Sequence, residues 1–517
     1  MFAGYLVENR LNRGRARNSP RKCHLMSVSA TSPSASSKLI THAFLQRLKS
    51  IVGPERLLDS PDEMVVYECD GYVVEKNSPD VVVFPVNSDE VVRIVRECNQ
   101  FGVPFVARGA GTSLAGGCLP VGGGVMIALA KMNRILEINQ RDRYAVVEPG
   151  CVNVRLTRAL FGSGFHYAPD PSSQGACTIG GNVATNSGGP HTLKYGVTVN
   201  HVLGVEFVSS DGQLIQFGGP CGRGNEFDLT GLFVGSEGTF GVVTKVWVRI
   251  TRDPAACRTM LGIFNTVADA TQAISRIIGA GIIPAALEMM DQGIIGALEE
   301  AFSFGFPLDA GAVLLIEVDG LDCVVEDEAV TIIDLCMQAG AREVKRSKTE
   351  EERLMLWKCR KQAFGAIGRL APSCCTQDGV VPRTRLPEIL EFITEVGQRH
   401  NIRIVNVFHA GDGNIHPILL FDERDADQIH RVIEASEEIL NRCIDLGGSV
   451  TGEHGIGVEK ISLMKRLFTE TDLEVMSDIR KVFNPRGLCS PGKMLPTAGG
   501  CGSESPIKVS PSRRAAF

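Results

Sequence analysis

The first regular pattern in the chain lies at residues 41–52. Apolar positions recur there at helical spacing before a Gly-Pro pair, which predicts a helix and the start of the folded region. Val81-Val82-Val83-Phe84-Pro85 reads as a buried strand, residues 89–101 as an amphipathic helix capped by Ser88, and residues 103–107 as a second strand. This is a β-α-β opening. From 109 to 260 short apolar runs alternate with glycine, and the clearest strands fall at 125–129, 145–148, 202–209 and 242–250. Beyond 261 strands (261–264, 312–318) alternate with helices (268–279, 325–339), an order that predicts an α+β domain on an antiparallel sheet. The last helix of that region, near 435–446, stops at Gly447-Gly448.

Composition adds limits. A chain of 517 residues with 44% hydrophobic content supports a large core in more than one domain. A net charge of -6 offers no diffuse basic surface, so nucleic acid is excluded as an expected partner. The 16 cysteines are scattered without C-x-x-C spacing, which reads as thiols in a reducing compartment and leaves no iron–sulfur ligand set in this chain. No apolar run reaches the roughly 18 residues of a membrane span. Residues 1–38 are rich in Arg and Ser, with Glu8 as the only acid. They fit a mitochondrial transit peptide, and equally an upstream stretch before a true start at Met26 instead of Met1. Otherwise a cytoplasmic protein is expected, peripheral at a membrane through partners. The polar tail over 497–517 is expected to be disordered, as is 1–40 if it is not a transit segment.

Two glycine clusters carry the first candidate chemistry. Ala107-Arg108-Gly109-Ala110-Gly111-Thr112-Ser113-Leu114-Ala115-Gly116-Gly117 follows a predicted strand, and its small residues allow backbone N–H groups to approach an anion. It lacks GxxxxGK[ST] and GxGxxG, and alone it fits a structural turn as well as a phosphate cradle. The second cluster, Thr178-Ile179-Gly180-Gly181-Asn182-Val183-Ala184-Thr185-Asn186-Ser187-Gly188-Gly189, and a third segment, Gly235-Ser236-Glu237-Gly238, favour an extended dinucleotide.

A hairpin and a loop carry the second. Val407-Phe408-His409-Ala410-Gly411-Asp412-Gly413-Asn414-Ile415-His416 reads as strand, turn, strand, and a two-residue turn at Asp412-Gly413 places His409 opposite His416 on one face. Such a pair serves packing as readily as metal. Thr451-Gly452-Glu453-His454-Gly455 adds a carboxylate and a third imidazole on a glycine-bracketed loop, and two His with one Glu form a common metal set with open positions.

The strings ARGAGTSLAGG, YAPDPSSQ, TIGGNVATNSGG, LKYG and VGSEGTFGVVT resemble the FAD-binding domain of the vanillyl-alcohol-oxidase-like flavoproteins. HAGDGNIHP, GEHGIG and the closing PGK at 491–493 resemble their D-2-hydroxy-acid dehydrogenase branch. Within that branch, LWKCRKQAF, Gly368-Arg369 and DGVVPR are most similar to the FAD-subunit class of bacterial glycolate oxidases. The resemblance implies a two-subdomain FAD-binding domain over 41–255, an α+β cap over 256–455 and a segment over 456–496 returning to the flavin. It assigns Arg108, Gly109, Ala110, Gly111, Thr112, Ser113, Gly116, Gly117, Pro169, Ser172, Ser173, Gly180, Gly181, Asn182, Gly188, Gly189, Gly235, Glu237 and Gly238 to FAD. FAD is expected non-covalent, since nothing near His191 argues for a bond. His409, His416 and Glu453 are the implied ligands of a divalent metal, zinc or manganese, with His454 as base and Arg360 as clamp on the substrate carboxylate. The implied reaction is oxidation of glycolate or D-lactate, with companion flavin-like and iron–sulfur subunits taking the electrons. Two departures stand out. Cys375-Thr376-Gln377 replaces the lysine that dicarboxylate-using relatives carry before Asp378, which favours a monocarboxylate, and Ser490 replaces the asparagine of NPGK. The alternatives are a D-lactate dehydrogenase acting alone, a zinc hydrolase, which leaves the glycine loops unexplained, and a non-catalytic flavin-binding subunit, which would be expected to lack the His/Glu set.

Overall fold

The structure is a computed structural model and describes residues 40–222 and 227–496. The expectations for 1–39, for the choice between Met1 and Met26 and for the tail over 497–517 lie outside these residues. Helix His42–Val52 starts where Thr41 accepts from the Phe44 N–H, and it buries Phe44, Leu48, Ile51 and Val52. It packs on helix Ser88–Phe101 over a four-stranded sheet, in the order Leu57–Leu58, Val81–Val83, Val125–Ala128, Phe105–Arg108. The last three strands are parallel, as the β-α-β opening requires. One detail is corrected: the helix cap is Asn87, whose Oδ1 accepts from Glu90 N at 2.9 Å. Ser88 already lies inside the helix, and its hydroxyl donates to Glu206 instead.

A five-stranded antiparallel sheet follows, in the order Ile135–Asn139, Tyr144–Val147, Gly241–Arg249, Val202–Ser209, Leu214–Gly218. Val202–Ser209 is buried at every position. The reason is that Val205 and Phe207 face Leu156, Ile179 and Val183, while Val208 faces the helix over the first sheet. Glu206, the one charged residue of the run, is held there by Ser88, Thr244 and Lys245.

Residues 256–421 build a nine-stranded antiparallel sheet whose path runs Ala341–Arg346, Ala256–Phe264, Ala312–Gly320, Ala286–Asp291, Arg403–His409, Asn414–Ile415, Gly379–Val380, with Pro417–Phe421 branching from Arg403–His409 and Ser373–Thr376 pairing with it. Helices Val267–Gly279, Asp322–Gln338, Leu386–Arg399 and Ala426–Asp445 cover one face. Gln292–Phe302 and Glu350–Ile367 cover the other. The expected α+β cap on an antiparallel sheet is what forms. Ala426–Asp445 begins nine residues before the predicted 435. The C-terminal segment then rejoins the first sheet, where Phe105 N donates to Leu488 O and Ser490 N to Phe105 O. Among the described residues no helix is long and apolar enough to cross a membrane.

Candidate active site

The histidine hairpin forms with a different register. His409 pairs with Asn414 and Asn406 with Pro417, so the turn spans residues 410–413. Gly413 takes φ +81°, and a Cβ there would lie 2.2 Å from Val381 O, which confines the position to glycine. The ladder therefore closes earlier than a two-residue turn allows. A shift that keeps strand parity keeps His416 on the face of His409, now diagonal to it, with ring centroids 5.1 Å apart.

The ring nitrogens are held from behind. Glu288 stands opposite His409 on the neighbouring strand, and its Oε1 accepts from His409 Nδ1 at 2.7 Å. His416 Nδ1 donates to Gln377 O at 3.4 Å. The other nitrogens then converge: His409 Nε2 and His416 Nε2 lie 3.2 and 3.1 Å from Glu453 Oε1. His416 Nε2 is buried without a hydrogen bond. These three side chains place their ligand atoms within 4.8 Å of one another. Against the cost of burial, Glu288 and Glu453 raise the His409 pKa well above its ordinary value, so the site's electrostatics ask for positive charge there. A divalent cation meets that demand, and the imidazole–carboxylate set with Glu288 behind it suits one.

Asp378 shapes the Glu453 loop. Its Oδ2 accepts from Thr451 Oγ1 and from the N–H groups of Gly452, Glu453 and His454, at 2.6 to 3.1 Å. Lys460 Nζ, fully buried, lies 3.7 Å from the same oxygen. Despite burial, the His454, Lys460 and His416 side chains hold Asp378 well below the usual carboxylate range. His454 stacks on His416 at 4.9 Å and 7°, and its Nδ1 is buried without a partner. Burial pushes its pKa down to about 4, so it is a neutral imidazole at neutral pH.

Arg360, on helix Glu350–Ile367, is 4% exposed, and its Nε and Nη2 both engage Glu288 Oε2, at 2.7 and 2.6 Å. Glu288 thus ties the arginine to the histidine. Neither Glu288 nor Lys460 was singled out from sequence, because each sits in an unremarkable local string and acquires its role only through cross-strand or loop pairing.

A cavity of about 520 Å³ joins this cluster to the glycine loops. Gly109, Ala110, Gly111, Thr112, Ser113 and Gly117 line it from the first loop, Ser172, Ser173, Gly180, Gly181 and Asn182 from the second region, and Glu237 with Gly238 from the third. Arg360, His416, Glu453 and His454 close its far end, with Lys361, Phe364, Thr376, Val407 and Ile418. Asn182 Nδ2 and Ser236 Oγ are buried on this wall without partners, donors that a dinucleotide satisfies. Gly109 and Gly180 have no room for a Cβ, which would meet Thr178 Oγ1 and Pro149 Cβ at 2.5 Å.

Six assigned residues sit differently. Arg108 turns to Cys69 O, Cys118 Sγ and the Tyr67 ring, so it supports its loop from behind. Gly116 packs under Val458, and Pro169 O accepts from Asn153. Gly188 lies beneath the Glu453 side chain, Gly189 against the Asp170 backbone and Gly235 beside Asn186. Glu237 lines the cavity, yet its carboxylate accepts from Ile456 and Gly457 N–H at 2.7 Å and so braces the loop that carries Glu453 and His454. Lys493, from PGK, is fully buried and donates to Gly117 O at 2.7 Å, pinning the first glycine loop. His409 itself stands behind the wall.

Glycine loops on a two-sheet domain, facing an antiparallel cap across one cavity, define a flavoprotein of the two-domain FAD-binding type. The FAD binding domain family matches residues 79–218, and the family of FAD linked oxidases, C-terminal domain, matches 253–494. The chain is 42% identical to the glycolate oxidase subunit GlcD of Escherichia coli K12 over 88% of this chain and 92% of that one. It is 39% identical to GlcD of Bacillus subtilis over 88% and 97%, and 31% identical to a D-lactate dehydrogenase of Archaeoglobus fulgidus over 80% and 91%. A solved p-cresol methylhydroxylase shares the fold with a TM-score of 0.75 at 16% identity, over 88% of this chain and 97% of that one. The chain belongs to the FAD-linked oxidase family that includes the glycolate oxidase GlcD subunits, and it is an FAD-linked oxidoreductase.

Proposed function

We propose that this flavoprotein oxidises a small 2-hydroxy acid, glycolate or D-lactate, to the 2-oxo acid and passes the electrons to companion flavin-like and iron–sulfur subunits. The observation that carries the reading is the convergence of His409 Nε2 and His416 Nε2 on Glu453 Oε1 at the far end of the glycine-lined cavity. FAD, when bound, supplies the hydride acceptor, and a divalent metal on His409, His416 and Glu453, zinc or manganese, supplies charge for the developing alkoxide.

The side chains have the following work. Arg360 binds the substrate carboxylate with the donors that Glu288 leaves it, since Glu288 occupies the Nε/Nη2 edge and the Nη ends remain. Neutral His454 accepts the hydroxyl proton, and Asp378 holds its backbone in place. Thr376, a neutral residue, stands on the wall while Gln377 turns to Glu459, which supports a monocarboxylate. On this reading 41–255 is the FAD-binding domain, 256–455 the cap and 456–496 the segment that returns to the flavin. A D-lactate dehydrogenase acting alone is the second reading, supported by the D-lactate dehydrogenase relative. Steady-state rates with glycolate, D-lactate, L-lactate and D-2-hydroxyglutarate, using a dye acceptor, test the assignment. Preference for one of the first two acids is expected, and a preference for 2-hydroxyglutarate would refute the pocket.

A further inference from the structure

Arg353, Trp357 and Arg360 fall at i, i+4 and i+7 of helix Glu350–Ile367 and share one face. That face meets two carboxylates of the cap sheet. Glu317 pairs with Ala286, two residues from Glu288 on the same strand, so Glu317 and Glu288 point to the same side. Trp357 Nε1 donates to Glu317 Oε2 at 2.7 Å, Arg353 Nη1 to the same oxygen at 3.1 Å, and Arg360 to Glu288. Glu288 in turn holds His409. Two sets of polar contacts, Glu317 with Arg353 and Trp357 and Glu288 with Arg360 and His409, are therefore joined through the backbone of this one helix.

His191 reaches this helix face from the cofactor-binding region. Its Nδ1 lies 2.9 Å from Asp170 Oδ2, its Nε2 3.6 Å from Glu317 Oε1, and its ring stacks on Trp357 at 5.0 Å and 28°. Lys194 and Tyr195, one turn on, engage Asp319, two residues beyond Glu317. Burial disfavours the charged ring, yet Asp170 and Glu317 push it up to about 10, so it bridges them as a cation.

We propose that His191 is a positioning residue for substrate binding: by bridging Asp170 to Glu317 and stacking on Trp357, it fixes the helix face from which Arg360 holds the substrate carboxylate. The inference rests on the reading of Arg360 as that clamp. A clamp displaced by a fraction of its hydrogen-bond length binds a carboxylate poorly, while the flavin site, which His191 does not line, is untouched.

His191→Phe keeps a ring on Trp357 and removes both carboxylate contacts. FAD content is expected to stay unchanged. The KM of the preferred acid and the Kd of oxalate, read from the flavin absorbance, are expected to rise about tenfold, with kcat changed less than about threefold. Added to Arg360→Ala, the same change is expected to cost less than about twofold more, because both act through one clamp. Trp357→Phe, which keeps stacking and loses only the indole donor, decides the matter if His191→Phe does not fold; a smaller rise with the same non-additivity is expected. Unchanged KM and Kd, loss of FAD, or effects that multiply with an impaired Arg360→Ala would overturn the role of His191 alone. An Arg360→Ala enzyme of unchanged KM would overturn the clamp and this inference together.

Discussion

Glu288 and His409 stand opposite each other on adjacent strands, and the carboxylate accepts a 2.7 Å hydrogen bond from His409 Nδ1. The bond fixes the tautomer that leaves Nε2 free to face Glu453, and it orients the ring. Glu288→Gln is therefore expected to weaken divalent-metal binding by about ten- to a hundredfold while leaving FAD bound. A competition titration against a chelator measures this. Wild-type metal affinity in the variant would contradict the role given to Glu288.

Asp378 carries a stability prediction. Asp378→Ala removes four hydrogen bonds to residues 451–454 and leaves fully buried Lys460 without its carboxylate, a loss of about 3–5 kcal/mol. Thermal melting of the FAD-loaded protein should show a clearly lowered midpoint. A midpoint equal to wild type would mean that the loop does not depend on this anchor.

The interdomain contact at His191 predicts a pH dependence. Its folded pKa is raised from 6.5 to about 10, so its contribution to stability is complete below 6.5 and lost as pH rises through about 10. Glu317 runs the other way. Although burial opposes its charge, the ion pair with His191 and hydrogen bonds from Thr259 and Trp357 lower it from 4.5 to about 2, so its contribution is complete above 4.5 and lost as pH falls through about 2. The difference in melting midpoint between wild type and His191→Phe should be largest between pH 4.5 and 6.5 and shrink steadily towards pH 10. A difference that grows above pH 7 would show that His191 does not bridge the two carboxylates as a cation.

Much of this was legible in the chain. Buried runs such as Val202–Ser209 and the alternation after residue 261 gave the elements, because burial on one or both faces leaves a direct mark on hydrophobic pattern. The glycine loops and the His, Glu and Arg residues could be named because each sits in a distinctive string. What stayed hidden was set by tertiary pairing. The hairpin register, with His409 opposite Asn414, comes with a close approach of Val381 O to Gly413 from a segment outside the hairpin, which no local signal reports. Glu288 lies 121 residues from His409 and 72 from Arg360, so its part in the site exists only once the strands align. The Arg108 side chain packs on Cys69 O and Cys118, and a loop string does not say on which side of the backbone its longest side chain packs.

The central claim is that substrate oxidation needs a metal on His409, His416 and Glu453 in addition to FAD. It is tested most directly by mixing chelator-treated, FAD-loaded protein with the preferred 2-hydroxy acid without oxygen and following the bleaching of the flavin. The account predicts almost no flavin reduction in the metal-free protein, recovery on adding zinc or manganese, and no recovery in His409→Ala. Rapid bleaching by metal-free protein at the wild-type rate would contradict it.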